Sequence, residues 1–481
     1  MQIQTWRKRF YLLFFVSILT LNDFAFAQKT PAKIDSTKVY KSIESFSLKR
    51  KFTRFAYHFF FKPVTPNPSK KSSRKRVYKH LQQKSYSAFE GKIIRHINIE
   101  TLDPFGFSIA DTIVRPPGFI SVNGNRLHIK TQRITIRNLL LIRQNQVFDS
   151  LLVKESERLV RQMGFATDVS FFVDLSAKNS DSVDIFIREL DNWSLIPRIA
   201  ASTSSLTFGL NDKNFLGLGH ESKNEVSWNH TENRFAYKVN YFVPNFRNTY
   251  INSSIHIGGE ESGDYIRSFK VDRPFFSPFA KWAAGVIFMQ QLRFANMQGS
   301  DSVIVLQPFK INTQDYWAGN AKQIFKGNTE NDRTTNLVSA IRYLHLKYLE
   351  KPDEKLDPQH YFADENFYMA SIGISNRKYI QDRYVFKFGL TEDVPVGKFF
   401  NLTGGYQAKN KTGRFYLGAR VSMGNYHPFG YLGFNVEAGT FYITSQTDQG
   451  ALVASANYFT GLHEIGKWKF RQFIKPQLII G

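Results

Sequence analysis

The sequence predicts an all-β, transmembrane, antiparallel β-barrel preceded by a small α+β domain with the element order β-α-α-β-β. Two observations lead to this fold class. From residue 191 to residue 481, short segments alternate apolar and polar side chains with a period of two and are separated by turn residues, which is typical of membrane barrels. In residues 91–190, helical and strand periods follow one another instead. The two patterns meet in residues 191–219, where the barrel is predicted to begin.

Composition limits the kinds of protein that this chain can be. Its 481 residues are too many for one ordinary core, so two or more domains are expected. Aromatic residues reach 15%, yet beyond the N-terminus no apolar run approaches the roughly 20 residues of a transmembrane helix. Cysteine is absent, which excludes disulfides and thiolate metal sites. The aromatic content therefore favours alternating strands as the apolar elements.

The N-terminus predicts export. Residues 7–9 are basic, residues 10–21 are apolar, and residues 25–27 (Ala-Phe-Ala) offer the small side chains of a signal-peptidase site. Residues 1–27 are therefore interpreted as a signal peptide, and the alternative is a retained membrane anchor, against which the short apolar run argues. A net charge of +24 would suggest nucleic acid as the partner of an intracellular protein. For an exported protein no nucleic-acid partner is expected.

Residues 28–90 form a strongly basic linker, with sixteen Lys and Arg side chains and three acidic ones. Apolar residues between Phe46 and Phe60 recur near helical spacing among basic side chains. One interpretation is an amphipathic helix on an anionic membrane face. The other is a solvated linker whose aromatic residues pack on the following domain. Both interpretations remain open.

Residues 91–190 predict one small α+β domain. Its helices are indicated by apolar residues at helical spacing, and Asp149 with Ser150 supplies an N-terminal cap. Its strands are indicated by runs of β-branched and aromatic residues. The predicted elements are a strand at 93–99, an irregular insertion at 103–130, helices at 134–142 and from Asp149 to Gly164, and strands at 168–175 and 183–190.

Residues 191–481 predict the barrel, with roughly fourteen to sixteen strands. The alternation is clearest around Phe415–Gly424, where apolar side chains alternate with Gly, Arg and Ser. A soluble β-sandwich also has alternating strands, but the export signal and the glycines and charges on the polar faces favour a water-filled barrel. Aromatic residues near the segment ends are expected to form interfacial girdles; they are Tyr241, Phe246, Tyr250, Phe399, Phe400, Tyr426 and Tyr431.

Three short motifs in residues 91–481 resemble those of one superfamily. The first is Asp191, Trp193, Leu195 and Pro197; the second is Asp212, Asn214, Phe215, Leu216, Gly217 and Gly219; the third is Phe148, Asp149, Ser150, Ser156, Glu157, Arg158 and Leu159. The first two resemble the beginning of the barrel in BamA/TamA-like surface antigens. The third resembles the POTRA module that precedes such barrels, so the resemblance implies a POTRA-like periplasmic domain before a barrel in the cell outer membrane.

The chain departs from this family in two places. The family carries an Arg-Gly-Phe/Tyr motif on a loop folded into the barrel, and this sequence has no Arg-Gly pair. Family barrels usually end in an aromatic strand, whereas this chain stops within the apolar run 475–481. One interpretation is that the chain is incomplete and lacks its last strands. The other is a divergent member that closes its barrel differently.

The resemblance implies an outer-membrane protein assembly or translocation factor. Its module would recognise client strands by β-augmentation at the edge of segment 168–175. Its barrel would open at a seam formed by residues 193–202. The residues expected to contact clients are Asp168, Ser170, Phe172, Trp193 and Leu195. The expected partners are outer-membrane lipids, nascent outer-membrane or secreted proteins, and accessory lipoproteins.

Other functions are weighed beside this one. A passive pore or surface receptor would use the module only as a plug or spacer, and a lipid-handling barrel would suit the basic segment 28–90. The sequence lacks the G-x-S-x-G, P-loop and H-E-x-x-H motifs. His220-Glu221 and His463-Glu464 have no third ligand nearby, and the acidic pairs at 260–261 and 364–365 are typical of external loops. No catalytic residue, cofactor or metal site is expected.

Overall fold

The computed structural model describes residues 85–109, 118–177, 180–298, 303–443, 446–466 and 468–481. The predicted signal peptide and the basic linker up to residue 84 lie outside these residues, as does part of the insertion at 110–117. Within the described ranges, no helix is both long enough and apolar enough to cross a bilayer.

The small domain, residues 85–191, is a three-stranded sheet covered by short helices. Its strand order is β1-β3-β2, with β1 parallel and β2 antiparallel to the central β3. Strand β2 is therefore an edge strand of this sheet. The elements are a 3₁₀ turn at Ser87–Phe89, β1 Ile93–Leu102, α1 Phe119–Leu127, α2 Arg133–Arg137, α3 Ser150–Arg161, β2 Ala166–Leu175 and β3 Ser182–Asp191.

The sequence predicted α3 and all three strands of this domain, but it missed α1 and overextended α2. The Asp149 carboxylate caps α3 by accepting from the Leu151 and Leu152 N–H groups at 3.0 and 3.2 Å. The segment of helix α1 was predicted as part of an irregular insertion because of Pro104, Gly106, Pro116, Pro117 and Gly118. Gly124 lies within this helix, where a Cβ would be 2.9 Å from the Phe105 ring. Helix α2 ends at Arg137 because the chain turns back to pair with β1 near Asn145.

A cluster of fully or nearly buried side chains forms the core of the small domain. Large rings from the chain before α3, from the connection between α3 and β2, and from β2 meet there with branched aliphatic residues. The most deeply buried members are Ile94, Ile136, Phe148, Val153, Val160, Phe165, Phe171, Val183, Ile185 and Ile187. The sheet and helices are thereby held as one rigid body.

A 16-stranded antiparallel sheet follows, in which the strands β4 to β17 each pair with the next one in chain order, and β20 and β21 both pair with β17. Its edges are β4 on one side and β20 with β21 on the other; in the described part of the chain these edges do not pair with each other. The strands are β4 Leu195–Ala201, β5 Ser205–Phe215, β6 His220–Asn229, β7 Arg234–Val243, β8 Asn252–Gly259, β9 Tyr265–Arg273, β10 Trp282–Gln298, β11 Ile304–Gln323, β12 Thr335–Glu350, β13 Glu365–Arg383, β14 Thr391–Lys409, β15 Thr412–His427, β16 Gly430–Ile443, β17 Gln446–Phe459, β20 Phe473–Ile474 and β21 Gln477–Ile480.

Shorter elements connect these strands. Helix α4 Glu330–Thr334 lies between β11 and β12, a 3₁₀ turn at Phe246–Asn248 lies between β7 and β8, and the hairpin of β18 His463–Ile465 and β19 Trp468–Phe470 lies between β17 and β20. The strand number agrees with the sequence-based expectation. That the chain lacks its last strands stays a prediction.

The large sheet curls into a barrel. One cavity of about 520 Å³ is lined by Ala321 of β11, Asn336 of β12 and Asn457 of β17. In a flat sheet β11 and β17 would lie roughly 29 Å apart, far more than a cavity of this volume spans. The turn between β9 and β10 also enters the cavity, where Phe275 and Pro278 line it. The sheet therefore wraps around this turn, and side chains facing the cavity are called inward below.

The two faces of the barrel differ in polarity. Inward positions in register across β15, β16 and β17 are Ser422, Asn435 and Ser455. Outward positions such as Ile341, Ile372 and Leu402 are exposed and apolar. A water-soluble sandwich would bury its apolar face, whereas this barrel exposes it and encloses polar side chains.

A row of aromatic side chains crosses the outward face from β11 to β16. Its members lie in register on consecutive strands; they are Tyr316, Tyr343, Tyr368, Tyr406, Phe415 and Tyr442. The next outward positions on the side away from the small domain are polar on β11–β13, namely Gln314, His345 and Asn366. The row therefore marks a change from apolar to polar surface. The predicted girdle residues were partly wrong, because Phe399 lines the cavity and Tyr431 is buried.

Candidate functional site at the junction of the two domains

Asp191, the last residue of β3, fixes the chain where the small domain meets the barrel. Its buried carboxylate accepts hydrogen bonds from the Thr131 N–H at 2.9 Å and from the Thr131 hydroxyl. The His128 ring lies 2.9 Å from the same carboxylate through Nε2. The segment between α1 and α2 is thus tied to the end of β3. Sequence reasoning missed Thr131 because it lies in no motif.

Asn214 connects the first turn of the barrel to the same threonine. Its buried side chain donates from Nδ2 to Thr131 Oγ1 at 2.8 Å and accepts from the Gly219 N–H at 2.8 Å. The Gly217 carbonyl accepts from the Gln132 N–H at 2.9 Å and from Thr135 Oγ1 at 3.0 Å. The turn between β5 and β6 therefore packs directly on the small domain.

Gly217 and Gly219 have positive φ angles of 73° and 71°. A Cβ on Gly217 would lie 2.3 Å from the Lys130 carbonyl oxygen. Only glycine fits both the left-handed backbone and this close approach. The motif residues Asp212 and Phe215 support the same turn. Asp212 accepts from the Asn214 N–H at 2.9 Å, and the Phe215 ring meets Tyr241 edge-on.

Trp193 lies on the small-domain side of the junction. Its indole donates to the Leu195 carbonyl, and its ring centroid is 5.6 Å from Phe105 and 6.3 Å from His128. Leu195 begins β4 and is paired with Asp212 of β5. Trp193 and Leu195, two of the five residues predicted to contact clients, are therefore close together. Trp193 packs on the small domain, whereas Leu195 begins the exposed edge strand β4.

Strand β4 is an exposed edge strand. All seven of its residues are exposed, and among the described strands only β5 pairs with it. Pro197 within β4 has no N–H to donate, which suits an edge position. Ile199 is 71% exposed on the outward face. This edge offers backbone hydrogen-bonding groups to an additional strand.

Asp168, Ser170 and Phe172 lie on the edge strand β2 of the small domain. They pair on one side with Leu190, Arg188 and Phe186 of β3. Burial raises the pKa of Asp168, which lies close enough to Arg161 of α3 for their charges to interact. The five predicted client-binding residues thus belong to two separate edges, one in each domain.

Two arginines of α3 fasten the small domain to the barrel. Arg161 forms an ion pair with Asp393 of β14, in which Nη1 contacts both carboxylate oxygens, and its Nη2 donates to Glu157 at 2.6 Å. Burial disfavours its charge, but the Asp393 and Glu157 carboxylates raise the pKa of Arg161 above its ordinary value. Arg158 donates to the Phe276 carbonyl at 3.0 Å. These contacts reach the β9–β10 and β13–β14 connections.

The β13–β14 hairpin also holds the last strands. The Asp382 carboxylate accepts from Arg471 at 2.8 Å and from the Tyr426 hydroxyl at 2.9 Å. The Phe386 ring lies 5.8 Å from Phe473 of β20. One hairpin therefore contacts both the small domain and the edge of the sheet opposite β4.

Three side chains from the acidic and histidine pairs singled out in the sequence have structural partners. His220 lies 2.8 Å from the Tyr241 hydroxyl, Glu260 pairs with Lys238 at 2.8 Å, and Glu261 accepts from Asn229. In the described part of the chain no three His, Asp or Glu side chains are grouped as a metal site would require. That the protein is not an enzyme stays a prediction.

No protein-family model matches this chain, and no curated protein matches it by sequence. Among solved structures it is similar to BamA from Haemophilus ducreyi lacking POTRA domains 1–3, at 10% identity and a TM-score of 0.33, over 77% of this chain and 67% of that one. It is also similar to CdiB from Acinetobacter baumannii, at 10% identity and a TM-score of 0.35, over 93% and 100% of the two chains. It is similar as well to CdiB from Escherichia coli, at 9% identity and a TM-score of 0.34, over 83% of this chain and 79% of that one.

Proposed function

We propose that this protein is an outer-membrane barrel that assembles or translocates other proteins by adding their strands to the β4 edge. The observation that carries the proposal is the free edge of β4 beside a junction that is rigidly held. Backbone hydrogen bonds recognise a client strand without special side chains. This agrees with the expectation of a functional site that has no catalytic residues.

The outward face of the barrel supports the membrane location. On β16 the outward positions from Leu432 to Tyr442 are apolar except for Thr440, whose hydroxyl donates to the Gln449 carbonyl at 2.9 Å, and they extend roughly 34 Å along the strand. At a strand tilt of about 40° this corresponds to a band roughly 26 Å tall, close to that of known outer-membrane barrels. Tyr442, at the end of this band on β16, suits a membrane interface.

The position of the small domain supports an orientation. It packs on the turns that lie away from the aromatic row, and the N-terminus carries the features of an export signal. The small domain would therefore lie in the periplasm. A client would meet the β2 edge first and the β4 edge second, because only β4 belongs to the membrane-spanning sheet.

Strand β4 suits the role of the seam because it is short and exposed, and its first residues adjoin the fixed turn Leu216–Gly219. The opposite edge, β20 and β21, is held by Arg471 and Asp382. A client strand added to β4 would satisfy backbone groups that lipid cannot. Accessory lipoproteins belong to the same proposal as expected partners.

Site-specific photo-crosslinking tests this proposal. A photoreactive residue at Ile199 of β4 is compared with one at Ile341 of β12, because both are outward and similarly exposed, at 71% and 65%. The Ile199 probe is expected to capture newly exported barrel proteins, and the Ile341 probe is not. Equal capture at both positions would contradict the role of β4.

Depletion separates this function from a passive pore or receptor. Loss of an assembly factor lowers the amounts of other outer-membrane proteins, whereas loss of a passive pore leaves them unchanged. Unchanged amounts after depletion, together with ion conductance of the purified protein, would favour the pore.

A further inference from the structure

Arg273 is a cation held on the outward, apolar face of the barrel. It ends β9 and is paired with Ala284 of β10, in the same outward row as Ala318 and Ile341. Its Nε donates to the Thr249 carbonyl at 2.9 Å, and Nη1 donates to the Trp282 carbonyl. The guanidinium also lies 4.0 Å from the Trp282 ring centroid. These contacts fix the position of the charge.

No protein carboxylate neutralises this charge in the described part of the chain. The neighbouring Asp272 belongs to the inward face and pairs with Lys270 at 3.2 Å. The two hydrogen bonds of Arg273 use only part of its five N–H donors. A fixed guanidinium without an ion-pair partner is suited to a phosphate group.

A groove of about 620 Å³ begins at Arg273. Its floor is formed by the small side chains Ala284 and Ala318, and its walls are Trp282, Val286, Tyr316, Ile341 and Tyr343. The lining is almost wholly apolar, so the groove matches an acyl chain rather than a polar ligand. A charge at one end of an apolar groove is the pattern of one phospholipid molecule.

The barrel surface between the groove and the small domain is polar, which indicates that lipid headgroups lie at the height of Arg273. On β11 the outward positions that follow Ala318 toward the small domain are Asn320 and Lys322, both exposed. Polar and basic side chains at this height belong with headgroups rather than with acyl chains. Trp282 lies between the two regions, where indole rings are favoured.

We propose that Arg273 and this groove bind an acidic phospholipid of the leaflet on the small domain's side. The headgroup phosphate contacts the guanidinium, and one acyl chain lies over Ala284 and Ala318. This inference goes beyond client assembly and rests only on the membrane location of the outward face. A zwitterionic lipid lacks the net charge that Arg273 complements, so the site selects acidic lipids.

Fluorescence quenching of Trp282 tests the site. The full chain is reconstituted in nanodiscs that contain a fixed fraction of brominated lipid, either acidic or zwitterionic, and the signal of W282F is subtracted. We expect the acidic lipid to occupy the groove with about fivefold preference, the effect of one basic side chain near a membrane surface. High salt should reduce this preference.

Three variants assign the preference to Arg273. R273Q should abolish it, and R273K, which keeps the charge, should retain most of it. R267Q is the matched control, since Arg267 lies on the same face of β9 on the other side of Phe269. The proposal would be overturned if R267Q lost the preference for acidic lipid or if R273Q kept it. If R273Q does not fold, a preference for acidic lipid that high salt leaves unchanged would overturn the proposal.

The outcomes also separate this site from the proposed function. Equal quenching by both lipids would refute lipid selection but leave the barrel in the membrane. Absence of quenching by either lipid would mean that protein, such as a second copy, covers the groove, and it too would refute the site. Client crosslinking at Ile199 is measured independently of both results.

Discussion

Arg161 of α3 and Asp393 of β14 form an ion pair in which the single nitrogen Nη1 lies 2.7 and 2.9 Å from the two carboxylate oxygens. Their side chains are only 4% and 6% exposed. An ion pair so deeply buried stabilises an interface only while both partners are present, because either charge alone is strongly disfavoured there. The small domain is therefore docked on the barrel by a contact that tolerates little separation.

Replacing one partner of this pair should loosen the docking. D393N leaves Arg161 with Glu157 as its remaining carboxylate partner, and we expect a loss of about 3 kcal/mol in unfolding free energy. Limited proteolysis between the small domain and β4 should become faster. E437Q is the control, because Arg420 and Glu437 are each more than half exposed and 3.9 Å apart. An equal effect of both variants would show that burial does not decide the strength of the pair.

The Asn214 side chain should be needed to hold the first strands of the barrel. N214A leaves the Gly219 N–H and the Thr131 hydroxyl without this partner in a buried site, which is expected to cost about 2 kcal/mol. Hydrogen exchange of the β5 and β6 amides should increase. N211A, on the same strand, should change stability by less than about 0.5 kcal/mol. Unchanged exchange in N214A would contradict the role of Asn214.

Gly217 should tolerate no side chain. In G217A the Cβ would lie 2.3 Å from the Lys130 carbonyl oxygen, and the φ of 73° is itself unfavourable for alanine. We expect a loss of at least about 1 kcal/mol. G404A is the matched control, because nothing lies within 4 Å of a Cβ there. Thermal unfolding of the two variants compares them directly, and equal midpoints would mean that the turn can move away.

The strands were predictable because alternation with a period of two is a local property, and the Asp149 cap is equally local. Contacts between distant segments were not predictable. Arg161 and Asp393 are 232 positions apart, and the residues that meet at Thr131 come from three segments. Helix α1 was missed because the sequence alone does not show that Gly124 packs against the Phe105 ring. The sequence identified the motif residues Asp191, Asn214 and Gly217, but only the structure shows that they dock the small domain on the barrel.

Glu189 should make the stability of the small domain depend on pH. It is fully buried on β3, where burial and the neighbouring Asp191 carboxylate raise its pKa well above the ordinary 4.5. The folded state therefore binds the Glu189 proton more tightly than the unfolded state. Stability is fully present below pH 4.5 and decreases as the pH rises from 4.5 toward the raised pKa.

E189Q should remove this dependence, because glutamine is similar in shape and does not ionise. The variant is expected to equal the wild type below pH 4.5 and to become more stable than it as the pH rises. The measurement is the free energy of unfolding of both proteins across this range. E100Q is the control, since Glu100 is exposed on β1 beside Arg188, and its curve should run parallel to that of the wild type. A constant difference between E189Q and the wild type at all pH values would mean that Glu189 does not titrate, because a neutral side chain contributes equally at every pH.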